Sequence, residues 1–391
     1  MNEAVILSAT RTPIGKFGGS LKDAAAPDLG AAVIKEAVLR AGLEPKDIQE
    51  CILGIVLSAG IGQNPARQAA MRAGLRAEIG SFNVNKVCGS GLKAVMLAAN
   101  SIKAGEHEVL VAGGMESMNL APYLLKNARY GYRLGDANMV DSMVFDGLWD
   151  SFGNMHMGVT AEIVAERFHV AREEADRLSY DSHMKAQAAT LAGRFEKEIV
   201  PYVLRSKKGD TVFKTDEGIR ADTTLEALAK LKPSFKEGGI VTAGNASQLS
   251  DGASALIVAS KRFAEERGIE PLATIDGYHT SGVEPKHIME APIPATRELL
   301  KKLGLSMDDV DLFEHNEAFA TASVAIRREL GVPEDRFNVN GGAIALGHPI
   351  GCSGARVLTT LLYAMMDRSA HRGLATLCLG GGSAVSMVIS R

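Results

Sequence analysis

Residues 85–95 read NKVCGSGLKAV, a cysteine in a glycine-rich turn ahead of a helix-patterned segment. Residues 351–358, GCSGARVL, repeat the Ser-Gly turn before a second helix-patterned segment. Each segment precedes a strand that ends in consecutive glycines, within VLVAGGMESM at 109–118 and within ATLCLGGGSAVSM at 375–387. The chain therefore holds two copies of one unit, and facing copies would bring these loops to a common pocket.

Strand and helix patterns alternate around the first copy. The apolar strand AVILSA (4–9) precedes a segment with helical spacing, LGAAVIKEAVLRAGL (29–43), and an extended SFNVNKV (81–87) leads into the cysteine turn. Alternation of this kind is typical of an α/β protein with a layered sheet covered on both faces.

The pattern becomes irregular in the middle of the chain, where Gly, Asn, Asp and Met accumulate and a hairpin-like PYVLRSKKGDTVFKTDE follows at 201–217. We interpret residues 121–250 as an inserted loop domain. The N-terminal half then comprises residues 1–120, with 251–270 completing it, and the C-terminal half comprises residues 271–391.

The composition of the chain argues against several classes of protein. The 391 residues are 46% hydrophobic and 23% charged with a net charge of −3, which gives no electrostatic reason to expect a nucleic acid or an anionic membrane as partner. No apolar run is long enough to span a bilayer, and the first residues lack a signal-peptide pattern, so we expect a cytoplasmic location. Four scattered cysteines predict free thiols, with neither a disulfide framework nor a metal site.

Two residues are candidates for nucleophilic chemistry. Cys88 stands where a helix N-terminus lowers a thiol pKa, and Gly89 and Gly91 allow a sharp turn and close approach of a ligand. His348 is the one titratable side chain between Asn340 and Cys352, and a histidine can take a thiol proton and return it. Locally, Cys88 also fits a buried core thiol, and His348 a structural histidine.

Two further loops carry candidates. Cys378 ends an apolar run before three glycines, which predicts a side chain exposed at a strand end; a buried strand cysteine is the alternative. Asn316, in EHNEAFA, could orient a water or donate a hydrogen bond, or could simply cap a helix. Four such loops at matching ends of two repeats favour one shared site.

These segments together resemble the thiolase family. The resemblance rests on NKVCGSGLKAV, AGGMESM, HMGVTAE, TAGNAS, NEAFA, NVNGGAIALGHPIGCSGAR and CLGGG, and it runs from SATRTPIGKFGGSL near the start almost to the last residue. It implies a duplicated, layered α/β/α/β/α fold with the insert as a loop domain.

The resemblance also implies residue roles. Cys88 takes the acyl group from an acyl-CoA, His348 activates it, and Cys378 is the second acid/base. Asn316 (through a held water) and His348 meet an enolate oxygen, while the backbone N–H groups of Cys88 and Gly380 bind the oxygen of the acyl thioester. The implied reaction joins two acetyl-CoA into acetoacetyl-CoA and CoA, or reverses this.

For coenzyme A, the resemblance implies nine contact positions, with Arg220 at the nucleotide end. They are Leu148, His156, Met157, Arg220, Phe235, Ala243, Ser247, Ala318 and Phe319. The implied partners are acetyl-CoA, acetoacetyl-CoA, CoA and further copies of the chain in a dimer or tetramer, with no cofactor and no metal. Residues 124–136, LLKNARYGYRLGD, are the expected tetramer contact.

The chain departs from the family pattern at four positions: Ala227, Gln248, His315 and Ala384. These departures bear on acyl-chain length and on CoA contacts. A degradative thiolase for longer 3-ketoacyl chains is the nearest alternative. More distant alternatives are a carrier-protein condensing enzyme, which would need other groups at Asn316 and Cys378, and a non-catalytic acyl-CoA binder, which would have lost a catalytic side chain.

Overall fold

The computed structural model describes residues 2–207 and 209–391. The N-terminal half contains, in chain order, β1 (Ala4–Arg11), β2 (Gly15–Lys16), α1 (Ala26–Arg40), β3 (Glu50–Gly54), α2 (Pro65–Arg72), β4 (Gly80–Val84), α3 (Ser90–Ala104) and β5 (Val109–Ser117). The apolar side chains of α3 recur every three or four residues, and the helix ends at Gly105, whose φ of 76° suits a left-handed cap.

The middle of the chain is built from short elements. They are β6 (Tyr123–Leu124), β7 (Val140–Asp141), a π-helical turn (Met143–Leu148), β8 (Trp149–Asp150), β9 (Met155–His156), α4 (Met157–Arg167), α5 (Arg172–Leu191), β10 (Tyr202–Leu204), β11 (Thr211–Phe213) and α6 (Leu225–Ala229). Strands β10 and β11 pair antiparallel, as the sequence predicts for this hairpin, and Lys208 lies outside the described residues. The bounds 121–250 for an inserted domain stay a prediction.

The rest of the chain returns to the sheet. It contains β12 (Ser250–Ser260), α7 (Lys261–Glu266), β13 (Ala273–Gly282), α8 (Pro292–Leu303), β14 (Leu312–His315), α9 (Ala320–Leu330), α10 (Ala343–Leu346), α11 (Ile350–Arg368), β15 (Arg372–Leu379) and β16 (Ser383–Ser390). Short 3₁₀ turns lie at Pro285–Glu290 and Met307–Asp309.

The sheet shows the duplication. On one side, β1, β12 and β5 are antiparallel neighbours, and β3 and β4 continue in parallel. On the other side, β13, β16 and β15 are antiparallel neighbours, and β14 continues in parallel. A two-residue contact between β1 and β13 joins the halves. The same pairing order in both halves is the repeat seen in the sequence.

Helices α3 and α11 lie between the two half-sheets and form a single core with both. A Cβ added to Gly91 would lie 2.7 Å from the Ala355 nitrogen, and one added to Gly354 would lie 2.3 Å from the Leu92 nitrogen. Only glycine permits so close a helix contact. Helices α1 and α2 cover one outer face, and α4, α8 and α9 cover the other. This is the five-layered α/β/α/β/α fold that the resemblance implies.

Among residues 2–207 and 209–391, none of the helices is both long enough and apolar enough to cross a bilayer.

Candidate active site

A pocket of about 540 Å³ lies where the two halves meet the central elements of the chain. Cys88, His348, Cys378 and Gly380 all line it. Asn316 is buried behind His348, with its Nδ2 3.3 Å from Nδ1 and 3.4 Å from Nε2 of the imidazole. The structure thus brings the five proposed catalytic positions, from four separate loops, to one place.

Cys88 sits in a strained turn. The residue before it, Val87, has φ of 47°, in the left-handed region that β-branched residues disfavour. Ser90 clamps this turn, because its Oγ accepts from the Lys86 N–H at 2.8 Å and donates to the Val87 carbonyl at 2.6 Å. The thiol therefore projects from a fixed loop at the start of α3.

The glycines around Cys88 have another role than the one expected. The sequence suggested turn-formers that leave space for a ligand, but neither Gly89 nor Gly91 has a positive φ. A Cβ on Gly89 would lie 2.4 Å from Leu379, and Gly91 faces α11. Both glycines thus make room for the C-terminal half of the protein, and the prediction of ligand space at these positions was wrong.

Cys378 differs from its predicted setting as well. Strand β15 continues to Leu379 with Cys378 opposite Ala384, and the chain turns only at Gly381 and Gly382. Cys378 is therefore 2% exposed rather than exposed at a strand end, and its Sγ lies 3.8 Å from Met289 Sδ. Cys378 is thus the buried strand cysteine of the two alternatives, although it also lines the pocket, and the prediction of an exposed side chain was wrong.

Hydrogen bonds define which nitrogen of His348 is basic. Ser353 Oγ donates to the Pro349 carbonyl at 2.9 Å and lies 2.5 Å from His348 Nδ1. Since the hydroxyl proton is used on Pro349, Nδ1 carries the ring proton and Ser353 accepts it. Nε2 then keeps its lone pair, which faces Asn316 Nδ2 at 3.4 Å, and is the ring atom able to accept a proton.

The surroundings of the Cys88 thiol and the His348 imidazole favour the neutral form of each group. Burial raises the pKa of Cys88 to about 12, against the opposing effect of the backbone N–H groups of Cys88 and Gly380. Burial, assisted by the nearby Arg356 charge, lowers the pKa of His348 to about 3. The backbone donors thus lower the thiol pKa, as expected at a helix N-terminus, but desolvation outweighs them and the net shift is upward.

This neutrality has a measurable consequence. Alkylation of Cys88 by iodoacetamide is expected to accelerate about tenfold per pH unit between about pH 7 and pH 10, because the thiolate fraction grows tenfold per unit below the pKa. The rate is followed by peptide mass mapping, which separates Cys88 from Cys378. A plateau below about pH 8 would instead reveal a preformed thiolate–imidazolium pair.

All nine positions implied for coenzyme A line the same pocket. His156 and Phe235 stack with ring centroids 4.8 Å apart, and Phe319 meets Phe235 edge-on at 6.1 Å. A Cβ on Gly158 would lie 2.2 Å from the Phe235 ring, so this aromatic wall requires glycine at the start of α4. Arg220 is exposed and gives the wall a positive charge.

Sequence reasoning missed Glu116, which lies in the quoted AGGMESM segment. Its buried carboxylate accepts N–H groups from Val56 at 3.1 Å, Leu57 at 3.1 Å and Gly351 at 2.8 Å. It thereby joins the loop after β3 to the start of α11, next to His348. Burial raises its pKa to about 7. A lone acid ending a buried apolar strand was the signal that could have found it.

Sequence reasoning also missed a group of apolar pocket residues. They share the inner wall near the two thiols, and include Met118, Met143, Ile288, Met289, Ile350 and Leu379. Their signal in the sequence is weak, because isolated methionines and aliphatic residues are usual in any core.

The four departures from the family pattern lie in different surroundings. His315 is buried with Nδ1 3.0 Å from Ser323 Oγ, and burial lowers its pKa to about 3. Ala384 packs in the core with Ala291 and Ala295. Ala227 lies exposed on α6, and only Gln248 lines the pocket.

Comparison with known proteins agrees with this geometry. The family model described as "Thiolase, N-terminal domain" matches residues 4–262, and "Thiolase, C-terminal domain" matches residues 269–391. The acetyl-CoA acetyltransferases of Cupriavidus necator and Pseudomonas aeruginosa are 52% and 53% identical, each over 100% of both chains. A probable acetyl-CoA acyltransferase of Staphylococcus epidermidis is 49% identical over 100% of this chain and 99% of its own.

A solved structure is similar over the same length. The crystal structure of the Bacillus anthracis acetyl-CoA acetyltransferase superimposes with a TM-score of 0.98 at 42% identity, covering 100% of this chain and 99% of that one. Both halves, the pocket between them and the full-length similarity lead to one conclusion: the chain belongs to the thiolase family.

Proposed function

We propose that the protein is an acetyl-CoA acetyltransferase, which condenses two acetyl-CoA into acetoacetyl-CoA and CoA and catalyses the reverse thiolysis. The observation that carries this function is the meeting of two thiols, one from each half, with His348 in a single pocket. The names of the full-length relatives at about half identity support the same reaction.

In the first half-reaction, Cys88 Sγ attacks the carbonyl carbon of acetyl-CoA while His348 Nε2 accepts the thiol proton. The C–S bond to CoA breaks, the CoA thiolate takes a proton from Cys378, and the acetyl group stays on Cys88. Thioester exchange is nearly even in energy, so the acyl-enzyme is neither too stable nor too short-lived.

In the second half-reaction, the Cys378 thiolate removes a proton from the methyl carbon of a second acetyl-CoA. The resulting carbanion attacks the acetyl carbonyl on Cys88, and a C–C bond forms. The bond from the acyl carbon to Cys88 Sγ then breaks, and His348 returns its proton to restore the Cys88 thiol. Burial beside Cys88 raises the pKa of Cys378, so its thiolate is a strong base.

Donors already in place stabilise the negative oxygens. The backbone N–H groups of Cys88 and Gly380 face the Cys88 sulfur and suit the oxygen of its acyl group. Asn316 and His348 are assigned to the enolate oxygen, with Asn316 acting through a water.

The central part of the chain is assigned to coenzyme A. The Phe235 and Met157 side chains suit the flexible pantetheine arm, and the exposed Arg220 suits the diphosphate end. This assignment includes the proposal that residues 121–250 form the CoA-binding insert.

A second candidate is a thiolase acting on longer 3-ketoacyl chains. Several relatives at 49–50% identity are named probable acetyl-CoA acyltransferases, a broader description. The methionines that line the inner pocket, Met118, Met143 and Met289, are flexible side chains able to yield to a longer acyl group.

The chain-length profile of thiolysis separates the two candidates. The specificity constant for acetoacetyl-CoA is expected to exceed that for C8 to C16 3-ketoacyl-CoA substrates by about tenfold or more, because even one methylene that a short-chain pocket cannot accommodate costs about 1–3 kcal/mol. A specificity constant that rises with chain length would exclude the short-chain enzyme.

We also propose a cytoplasmic homo-oligomer, in which residues 124–136 form the contact between dimers of a tetramer. This segment exposes large apolar side chains, with Tyr130 87% and Leu134 99% exposed. Deleting residues 124–136 is expected to leave a dimer, measured by light scattering. A matched control is Leu191→Ser, which removes an apolar side chain 81% exposed outside the segment. A tetramer that survives the deletion would reject this contact.

A further inference from the structure

Gln248 joins two loops through its side-chain amide. Its Nε2 donates to the Gly218 carbonyl at 2.8 Å and to the Ile344 carbonyl at 2.9 Å, and the Ala345 carbonyl lies 3.4 Å away. An amide has two N–H groups, so the two shorter contacts use both. One side chain thus connects the loop around Gly218 to α10.

The backbone of Gln248 reaches the same region. Its carbonyl accepts the His348 N–H at 3.1 Å and the Ser250 hydroxyl at 2.9 Å. Ser250 Oγ also lies 3.2 Å from the His348 nitrogen. Helix α10 ends two residues before His348, so Gln248 holds the histidine loop by both its main chain and its side chain.

The loop around Gly218 packs directly on α10. Gly218 is buried, and a Cβ placed there would lie 2.8 Å from the Ala345 carbonyl oxygen. Two residues earlier, the buried Asp216 receives a bidentate contact from Arg11 at 2.7 and 2.9 Å. The loop is therefore fixed at Asp216 and pressed against the histidine loop at Gly218.

The same loop continues to Arg220. Its backbone N–H donates to His183 Nδ1 at 3.1 Å, while its side chain is exposed and lines the pocket. We infer that Gln248 is a positioning residue that couples the loop carrying Arg220 to the loop carrying His348. Nucleotide contact at Arg220 then helps to hold His348 in its reactive position. This inference rests on the proposed CoA chemistry.

Such coupling has a physical basis in catalysis. Binding energy from a part of the substrate far from the reacting atoms can be used to orient catalytic groups. Misplacement of a catalytic group by about 1 Å costs up to about 100-fold in rate. The Gln248 side-chain amide links the Arg220 loop directly to the His348 loop. A change in the position of one loop on nucleotide binding can therefore affect the other.

The test is Gln248→Met, which keeps the length of the side chain and removes both donors. Thiolysis is measured with acetoacetyl-CoA plus CoA, and with acetoacetyl-pantetheine plus pantetheine, which lack the nucleotide. We expect kcat/KM to fall about 10- to 100-fold with the CoA pair, in both kcat and KM, and at most about threefold with the pantetheine pair. The CoA effect should disappear in an Arg220→Ala background.

Control variants distinguish positioning of the His348 loop by Gln248 from a general contribution of glutamine hydrogen bonds to the stability of the fold. Gln49 also bonds the backbone, at Glu108 and Val109, but at the opposite end of the strands, so Gln49→Met should leave both substrate pairs unchanged. A Cβ in Gly218→Ala would lie 2.8 Å from the Ala345 oxygen and 2.9 Å from Gln248 Nε2, so this variant displaces the amide and pushes the loops apart. It should reproduce the CoA-selective loss, which provides a second test if the Gln248 variant fails to fold. Equal losses on both substrate pairs, or no loss, would overturn the inference. Inactivity of the unmodified protein would instead overturn the proposed function.

Discussion

Replacing Cys88 by serine is expected to lower turnover by on the order of 10⁴-fold or more, the usual consequence of removing a catalytic nucleophile. Serine keeps the shape of the side chain within the turn clamped by Ser90. A hydroxyl is a much weaker nucleophile than a thiol, however, and it gives up its proton to His348 far less readily.

The acyl-enzyme provides the direct readout. Incubation with acetyl-CoA followed by acid quench and intact-mass measurement should show one acetyl group on the unmodified protein and none on Cys88→Ser. Cys51 is a suitable control, because it is a fully buried strand cysteine whose pKa burial raises to about 12. Cys51→Ala should retain the adduct, and an adduct on Cys88→Ser at the normal rate would place the nucleophile elsewhere.

Replacing Cys378 by alanine is expected to separate the two half-reactions. Condensation and thiolysis should fall by on the order of 10³-fold or more, because general acid–base catalysis contributes about 10²–10⁴-fold and no neighbouring group replaces this thiol. The acetyl group should still reach Cys88, since the nucleophile and His348 remain and the departing CoA thiolate can take its proton from water instead of from Cys378. Cys378 is 2% exposed, and truncating it removes only one sulfur from the core.

Two measurements are needed for this variant. Intact mass after acetyl-CoA reports the acetyl adduct, and the absorbance of the acetoacetyl thioester reports the C–C bond. An adduct without condensation is the expected pattern. Loss of the adduct together with condensation would mean that Cys378 supports Cys88 rather than acting on the second substrate, and normal condensation would remove Cys378 from the mechanism.

The layered α/β fold could be predicted from the sequence because the patterns that indicate it are local. The spacing of apolar residues in α3, the glycine that ends it at Gly105 and the repeated Ser-Gly turn all depend on near neighbours in the chain. The repeat then predicted the meeting of Cys88 and His348, which a single motif could not.

The sequence failed where contacts between the halves decide the outcome. Gly89 faces Leu379, and the burial of Cys378 depends on Met289, a residue far away in the chain. The high pKa of Cys88 likewise depends on how completely the second half covers the first. No local pattern reports such packing, so the functions of these glycines and the protonation state of the thiol required the structure.

The position of Glu116 has a consequence for how the enzyme is made. Its carboxylate binds Val56 and Leu57 from early in the chain and Gly351 from late in it, beside the loop that supplies His348. A growing polypeptide contains Cys88 long before His348 and Cys378 have been synthesised. With the roles proposed for these residues, we expect truncated products of translation to be inert towards acyl thioesters until the last strands join the sheet.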